Sequence, residues 1–118
     1  YPTALIRPRL EALGIVTARG LRAIPNHTRV TIGGVVTHRQ RPATARGVTF
    51  LNIEDETGMV NVIVDEVIWQ RQRRVARESG GLLVRGMLEH TKDGVLNVVA
   101  ERLERLHLGL HVRSRDFR

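Results

Sequence analysis

Three arginines stand close together in a stretch that contains no acidic residue. Arg39, Arg41 and Arg46 all fall within residues 39–46. A guanidinium pairs well with phosphate, because its planar fork of N–H groups can donate two hydrogen bonds at once. The stretch therefore predicts phosphate contacts, and an ordinary solvated basic loop is the alternative interpretation. Lys92, in a later turn, is a further candidate for a phosphate contact, although Asp93 beside it weakens the case.

Other residue types that often carry out chemistry do not assemble into a site. Glu54-Asp55-Glu56 are consecutive acids, but acids in one turn do not converge on a metal ion without further ligands, so we expect a solvated turn. Among the five histidines, only His107 and His111 have a metal-ligand spacing, and one pair alone is a weak signal. No phosphate-binding glycine loop, catalytic triad or nucleophilic cysteine can be assembled. We predict no catalytic residue, no metal and no cofactor in this chain.

Base stacking requires exposed aromatic side chains, and aromatic residues make up only 3% of this chain. Phe50 is the obvious stacking candidate, but a small domain with two phenylalanines needs them inside, so we predict that Phe50 lies in the core. Trp69 is predicted to plug one end of the fold from a helix. Asn52 and Asn61 are better candidates for an exposed binding face, although any outward strand position can be polar.

The charge balance indicates a polyanionic partner. The 118 residues carry a formal net charge of +7, and 18 of the 19 basic residues are arginine. A GC-rich genome explains arginine in place of lysine, but it does not explain the excess of positive charge, which favours nucleic acid. The absence of cysteine excludes disulfides. Without a membrane-spanning run or a signal-peptide pattern, we expect a cytoplasmic protein with no membrane partner, and the start at Tyr1 suggests a piece of a longer chain.

Runs of β-branched residues separated by turn residues predict five strands. Gly33-Gly34 interrupts the first run, where a bulge or sharp bend is expected. Asp93-Gly94 predicts a hairpin turn, and Asp65-Glu66 opens a helix. The predicted strands cover 28–37, 47–53, 59–64, 82–89 and 95–103, with one helix over about 65–79. The predicted divisions are an N-terminal arm over 1–27, a barrel over 28–105 and a C-terminal tail over 106–118.

The order β-β-β-α-β-β is that of the OB-fold, an all-β, five-stranded Greek-key barrel that binds oligonucleotides on its strand 2–3 face. The segment from Arg39 to Gly58, RQRPATARGVTFLNIEDETG, closely resembles the C-terminal OB domain of bacterial C-family DNA polymerases. These are relatives of the polymerase III alpha subunit, and the error-prone branch is the most similar. Pro2–Leu10 and Ser114–Phe117 resemble the same branch, so the resemblance covers nearly the whole chain.

The resemblance implies a module that binds single-stranded template DNA within an error-prone, damage-tolerant DNA polymerase. Such a parent is a nucleotidyltransferase that uses deoxynucleotides and magnesium, with its catalytic carboxylates in an upstream palm domain and none in this chain. The implied partners are single-stranded DNA, upstream domains of the same chain and accessory mutagenesis proteins. The predicted nucleic-acid site comprises Arg39, Arg41, Arg46, Asn52, Asn61 and Lys92.

Two alternatives from other functional classes stay open. One is a protein-interaction module that docks accessory mutagenesis factors, with the basic loop incidental. The other is an anticodon-type RNA-binding OB domain of a synthetase. Base-reading RNA domains display aromatic side chains on their strands, so the predicted scarcity of exposed aromatics argues against the second alternative.

Overall fold

Five strands close into one barrel in the computed structural model, which describes residues 2–42 and 46–107. The strands are β1 Arg29–Gln40, β2 Thr49–Asp55, β3 Gly58–Val64, β4 Gly81–His90 and β5 Leu96–Arg105. Their order around the barrel is β1-β2-β3-β5-β4. All neighbours are antiparallel except β3 and β5, whose parallel pairing brings the last strand back beside the third. The predicted five-stranded OB barrel is confirmed.

Alternate residues of each strand fill the barrel interior. Successive side chains of a strand point to opposite faces, so buried positions recur at every second residue. In β2 the buried apolar pair is Leu51 and Ile53, and β3 contributes Val60, Val62 and Val64. The core residues of β4 and β5 are Leu82, Val84, Leu88, Val98, Ala100 and Leu103, and β1 adds Val30 and Ile32.

The first strand serves both halves of the barrel because it bends where two glycines stand. Residues 29–35 pair with β4, and residues 35–40 pair with β2, so the change of partner falls at Val35. A Cβ on Gly34 would collide with the carbonyl oxygen of Glu54 across the sheet, so only glycine permits this approach. The bend predicted at Gly33-Gly34 is therefore present, and a separate irregularity of register lies between Val36 and His38.

The segment between β3 and β4 forms two short helices where a single helix was predicted. These are α3, Glu66–Arg71, and α4, Arg73–Glu78. Gln72 separates them with a non-helical backbone (φ −122°), and its side-chain amide bonds to both the N–H and the carbonyl of Leu103 in β5, at 2.7 and 2.6 Å. The helix breaks there because this amide extends the edge of the sheet. Trp69 on α3 is buried in the barrel core, as predicted.

The N-terminal residues pack on the barrel. They form α1 Pro2–Leu5, α2 Arg7–Ala12 and a 3₁₀ turn Gly20–Ala23. Leu10 and Leu21 are almost completely buried, and Val16 makes a parallel bridge to Ile32 of β1. Most apolar residues of the predicted arm are therefore at least partly buried, whereas Leu5 and Leu13 stay exposed. We call residues 2–28 the N-terminal segment.

Among the described residues, no helix is long and apolar enough to cross a membrane. The description ends at His107, so His111 and nearly all of the predicted tail lie outside the described residues.

Candidate nucleic-acid interface

Asn52 and Asn61 lie opposite each other on the outward face of β2 and β3. They are paired in register, and the Asn52 side-chain amide donates a hydrogen bond to Asn61 Oδ1 at 2.7 Å. Both are half-buried. The structure thus places the two predicted asparagines together, where one carbonyl oxygen and one NH₂ group of the pair still point away from the shared bond.

Phe50 is not in the core, and this prediction was wrong. Its side chain is 40% exposed and pairs in register with Ile63 on the outward face. The core of β2 is made by Leu51 and Ile53, and an alternating strand that turns these residues inward must turn Phe50 outward. The scarcity of exposed aromatics assumed from composition therefore does not hold at this face.

The outward face extends as two rows over four neighbouring strands. Register between β2, β3, β5 and β4 places an apolar row side by side, Phe50, Ile63, Val99 and Met87. The next row along the strands is polar, Asn52, Asn61, Asn97 and Glu89. We call these two rows together the outer face. An apolar row offers a stacking surface for bases, while a polar row offers hydrogen bonds to base edges or sugars.

Arg39 is engaged within the protein. Its Nε donates to the carbonyl of Ala76 at 2.8 Å, and a second guanidinium nitrogen donates to the carbonyl of Ser79. These carbonyls end α4, so Arg39 caps that helix C-terminus, and the negative end of the helix favours its charge. Burial lowers the pKa of Arg39, although a guanidinium stays protonated.

Arg41 also has several partners in the protein. It donates to Thr49 Oγ1 at 3.0 Å, forms an ion pair with Glu66 at 3.2 Å, and lies over the Trp69 ring, 4.8 Å from its centroid. Hydrogen bonds from Gln70 and then from Arg41 lower the pKa of Glu66. Arg39 and Arg41 therefore join the β1–β2 loop to the two helices.

Arg46 and Lys92 are exposed at opposite ends of the sheet. Arg46 precedes β2, whose first residue, Thr49, pairs with Val64 at the end of β3. Lys92 belongs to the β4–β5 hairpin, which leads into Asn97 beside Asn61. The structure therefore brings Asn52 and Asn61 together, but it does not gather the predicted cations around them.

A groove lies on the other side of Asn61 from Phe50, and sequence reasoning missed the arginines that line it. It has a volume of about 480 Å³ between the N-terminal segment, the β2–β3 turn and the β4–β5 hairpin, and Arg19 and Arg22 are part of its wall. No local pattern in the sequence indicates that these arginines line a groove. Arg19 contacts Thr57 in the β2–β3 turn, which lies 38 residues further along the chain.

The acidic turn is a junction, and the predicted solvated turn was wrong. Asp55 is 5% exposed, and its Oδ1 accepts from the Thr57 N–H and hydroxyl and from the Gly58 N–H. Its Oδ2 accepts from the Ala18 N–H at 2.8 Å, which ties the N-terminal segment to the turn. Because this carboxylate is buried, it is favourable only in the folded state, where these N–H and hydroxyl groups donate hydrogen bonds to it.

Glu56 completes this junction. Arg7 donates to both of its carboxylate oxygens, at 2.7 and 2.9 Å, and the Thr3 hydroxyl donates at 2.6 Å. The Arg7 hydrogen bond is the main cause that lowers the pKa of Glu56 to about 2, and Glu56 in turn raises the pKa of Arg7. Asp55 lies 3.6 Å from the same guanidinium. We call Thr3, Arg7, Asp55 and Glu56 the junction cluster. No group of three or more potential metal ligands occurs among residues 2–42 and 46–107.

Proteins named error-prone DNA polymerase are similar to this chain along its length. The identity is 52% over 118 residues to that of Nocardia farcinica and 51% over 118 residues to that of Mycobacterium tuberculosis. For Corynebacterium glutamicum it is 54% over 119 residues. These matches include 100%, 100% and 99% of this chain, in that order. The chain spans only 10–11% of the length of these relatives. The resemblance to the error-prone branch is confirmed.

Solved structures support the fold. The asparaginyl-tRNA synthetase of Pyrococcus horikoshii, in complex with asparaginyl-adenylate, superposes with a TM-score of 0.63 at 23% identity, over 80% of this chain and 22% of the synthetase. The hypothetical protein ygiW of E. coli gives a TM-score of 0.58 at 14% identity, over 78% of this chain and 89% of its own. At these identities the likeness shows the fold alone.

A family model described as an OB-fold nucleic acid binding domain matches residues 30–106. This range begins in β1, contains all of β2 to β5 and ends just beyond the barrel. It includes the outer face and leaves out most of the N-terminal segment. The chain belongs to the family of OB-fold nucleic acid binding domains.

Proposed function

We propose that this domain binds single-stranded DNA on the outer face, as the template-binding module of an error-prone DNA polymerase. The observation that carries the proposal is the position of Phe50, 40% exposed on the outward face of β2 beside the Asn52–Asn61 pair. An exposed phenylalanine on an OB strand supplies the stacking platform that bases use without regard to sequence. The relatives named error-prone DNA polymerase support DNA as the ligand.

Recognition on this face would be sequence-tolerant. A base stacks on Phe50 and its neighbour Ile63, while the outward amide groups of Asn52 and Asn61 bond to base edges or sugars. Arg46 and Lys92, exposed near the two ends of the sheet, contact the phosphates as the strand enters and leaves. Such contacts hold the backbone and stack bases, so the expected base preference is small.

Arg39 and Arg41 have a different part in this proposal. Their guanidiniums would have to leave helix carbonyls, Glu66 and the Trp69 ring before they could bind phosphate. We propose that they fix the position of the β1–β2 loop and so of Arg46. Contact of Arg39 or Arg41 with DNA stays a prediction from the sequence.

The activity of the whole protein is a proposal on the same basis. The polymerase relatives are about ten times longer than this chain, so nucleotidyl transfer with magnesium and deoxynucleotides would belong to other segments. We propose damage-tolerant DNA synthesis for the whole, with this domain holding the template strand beside it. Contacts with other domains of the same chain, or with accessory mutagenesis proteins, belong to the same proposal.

The test is the affinity of the purified chain for a fluorescent oligo(dT) and for oligo(U) of the same length. Replacing Phe50→Ala should weaken binding by roughly 5- to 150-fold, the effect of about 1–3 kcal/mol for a lost stacking platform. The matched control is Val67→Ala, which truncates an exposed apolar side chain on α3 away from this face. Equal affinity of wild type and Phe50→Ala would remove the outer face from the site. Tighter binding of oligo(U) would favour the anticodon-type alternative.

Protein docking is the second candidate function, and the apolar row favours it. Phe50, Met59 and Val95 are 40–56% exposed on or beside the outer face, and exposed apolar patches of this kind often mark protein interaction sites. DNA binding depends steeply on salt, whereas docking through an apolar row does not. A chain that shows no measurable affinity for oligo(dT) at low salt would make docking the better proposal.

A further inference from the structure

We infer that the N-terminal segment supplies a second phosphate-binding subsite, formed by Arg19 and Arg22 in the groove beside Asn61. This inference rests on the proposed function, since it extends the same strand of DNA beyond the outer face. The ligand of the subsite is the phosphodiester backbone of a single strand. The family match begins only at residue 30, so both arginines lie outside the barrel, in a segment that the match does not cover.

The groove is continuous with the outer face. Asn61 lines the groove and is at the same time the partner of Asn52, next to Phe50. Met59 and Leu96 form apolar parts of the groove wall. A strand whose base stacks on Phe50 can therefore pass over the asparagine pair and enter the groove without leaving the protein surface.

The two arginines are available for an external anion. Both are exposed, and neither takes part in an ion pair among residues 2–42 and 46–107. This distinguishes them from Arg39 and Arg41, whose guanidiniums are satisfied by the protein. Two unpaired guanidiniums in one groove wall raise the local positive potential and attract phosphate.

The backbone that carries these arginines is fixed before any ligand arrives. The Ala18 N–H donates to Asp55 and the Arg19 N–H donates to Thr57 Oγ1, at 2.8 and 3.0 Å. The Gly20 N–H donates to Thr17 Oγ1 at 2.9 Å. Binding then orders only the two side chains and not the segment, which reduces its entropic cost. The junction cluster thus acts as a positioning device for the subsite.

The length of DNA that the site can hold follows from the distance along β3 between the groove and Phe50. From Met59 in the groove to Ile63 beside Phe50, four steps along β3 cover about 13 Å. A strand that reaches both ends therefore needs several nucleotides, in agreement with the roughly 4–16 nucleotides that one OB domain occupies. Oligo(dT) of about 12 nucleotides is long enough to engage the outer face and the groove together.

The experiment measures binding of fluorescent oligo(dT) by the whole chain at several salt concentrations. The double variant Arg19→Ala/Arg22→Ala should flatten the slope of log K against log salt by about 1.4, two contacts at about 0.7 each. The control Arg74→Ala/Arg77→Ala removes the same charge from exposed positions of α4 and should leave the slope near that of the wild type. Circular dichroism and thermal unfolding confirm that both variants are folded.

The outcomes separate this inference from the proposed function. An unchanged slope in Arg19→Ala/Arg22→Ala, while Phe50→Ala loses affinity, would overturn the subsite and leave the outer face in place. A wild-type chain that does not bind oligo(dT) would overturn the proposed function and the subsite with it. An equal loss of slope in the α4 control would show a general charge effect and would also overturn the subsite.

A second measurement locates the strand directly. The chain contains no cysteine, so Ala23→Cys, beside Arg22, gives a single labelling position for a fluorophore. Oligo(dT) with a quencher at one terminus should quench this label, and comparison of the two termini gives the polarity of the bound strand. The same label on Arg74→Cys should be quenched much less. Absence of quenching from either terminus at Ala23→Cys would contradict the subsite.

Discussion

Two pairs of arginines, one at each end of the β2–β3 sheet, are in opposite states. At the helix end, Arg39 and Arg41 are engaged by helix carbonyls, by Glu66 and by the Trp69 ring. At the turn end, Arg19 and Arg22 line an open groove and have no ion-pair partner in the described part of the chain. A basic residue is available for DNA only where folding has not already satisfied its charge. The density of arginine along the sequence therefore does not show which guanidiniums are free of partners within the protein.

A matching contrast separates two uses of polar groups. The junction cluster is largely buried, and its side chains bond to partners 37–53 residues away, so these contacts stabilise the fold. The outer face keeps polar groups half-buried and an aromatic ring exposed, so its groups remain open to a ligand. The first region should respond to substitution mainly in stability, and the second mainly in binding.

The largest expected effect is the loss of stability in Asp55→Ala, a change at the β2–β3 turn. The variant leaves the N–H groups of Ala18, Thr57 and Gly58 without their acceptor. Removing one partner of a buried, charged network typically costs about 3–5 kcal/mol of stability. Urea unfolding measures the loss, with the outward-facing Glu54→Ala as the control. A loss below about 1 kcal/mol would show that the N-terminal segment docks without this carboxylate.

The next effect is a pH dependence that comes from Glu56. Its pKa is lowered from 4.5 to about 2 in the folded state, so its stabilisation is fully present above pH 4.5 and is lost as the pH falls through 2. Because solvent screens the partly exposed Arg7–Glu56 pair, its contribution at neutral pH is on the order of 1–2 kcal/mol. Glu56→Gln should therefore be less stable than wild type at pH 6, and the two unfolding curves should converge near pH 2. A difference that stays constant over this range would contradict the role of ionised Glu56.

A smaller effect is expected at the helix end from Arg41→Ala. The variant loses one exposed ion pair and one cation–π contact, so we expect only a small loss of stability in urea unfolding. The salt slope of oligo(dT) binding should stay unchanged, because this guanidinium is held by protein groups. If Arg41 contacts phosphate, as the arginine-rich stretch predicts from the sequence, the slope of log K against log salt will instead flatten by about 0.7.

Local patterns in the sequence predict the barrel well. Strand alternation, the glycine pair at Gly33-Gly34 and the Asp93-Gly94 turn are properties of neighbouring residues, and the structure bears out the strand order built on them. The outward position of Asn52 and Asn61 follows from the same alternation. The same alternation turns Phe50 outward when Leu51 and Ile53 point inward, whereas the expectation from composition placed Phe50 in the core.

Long-range partners explain what the sequence could not show. The carbonyls that engage Arg39 lie 37 and 40 residues away, and the partner of Arg7 lies 49 residues away. No spacing rule connects such residues, because their contact depends on how whole elements pack. The helix break at Gln72 has the same origin, since its amide bonds to Leu103 of another strand.

The most direct test of the central claim is an NMR titration of the labelled chain with oligo(dT). Our account predicts that the side-chain amide signals of Asn52 and Asn61, and the ring and backbone signals of Phe50, shift with the same saturation curve. Backbone signals from residues 71–77 of the helices should shift little, although this segment carries four exposed arginines. Shifts concentrated on residues 71–77, with Phe50, Asn52 and Asn61 unchanged, would contradict the account.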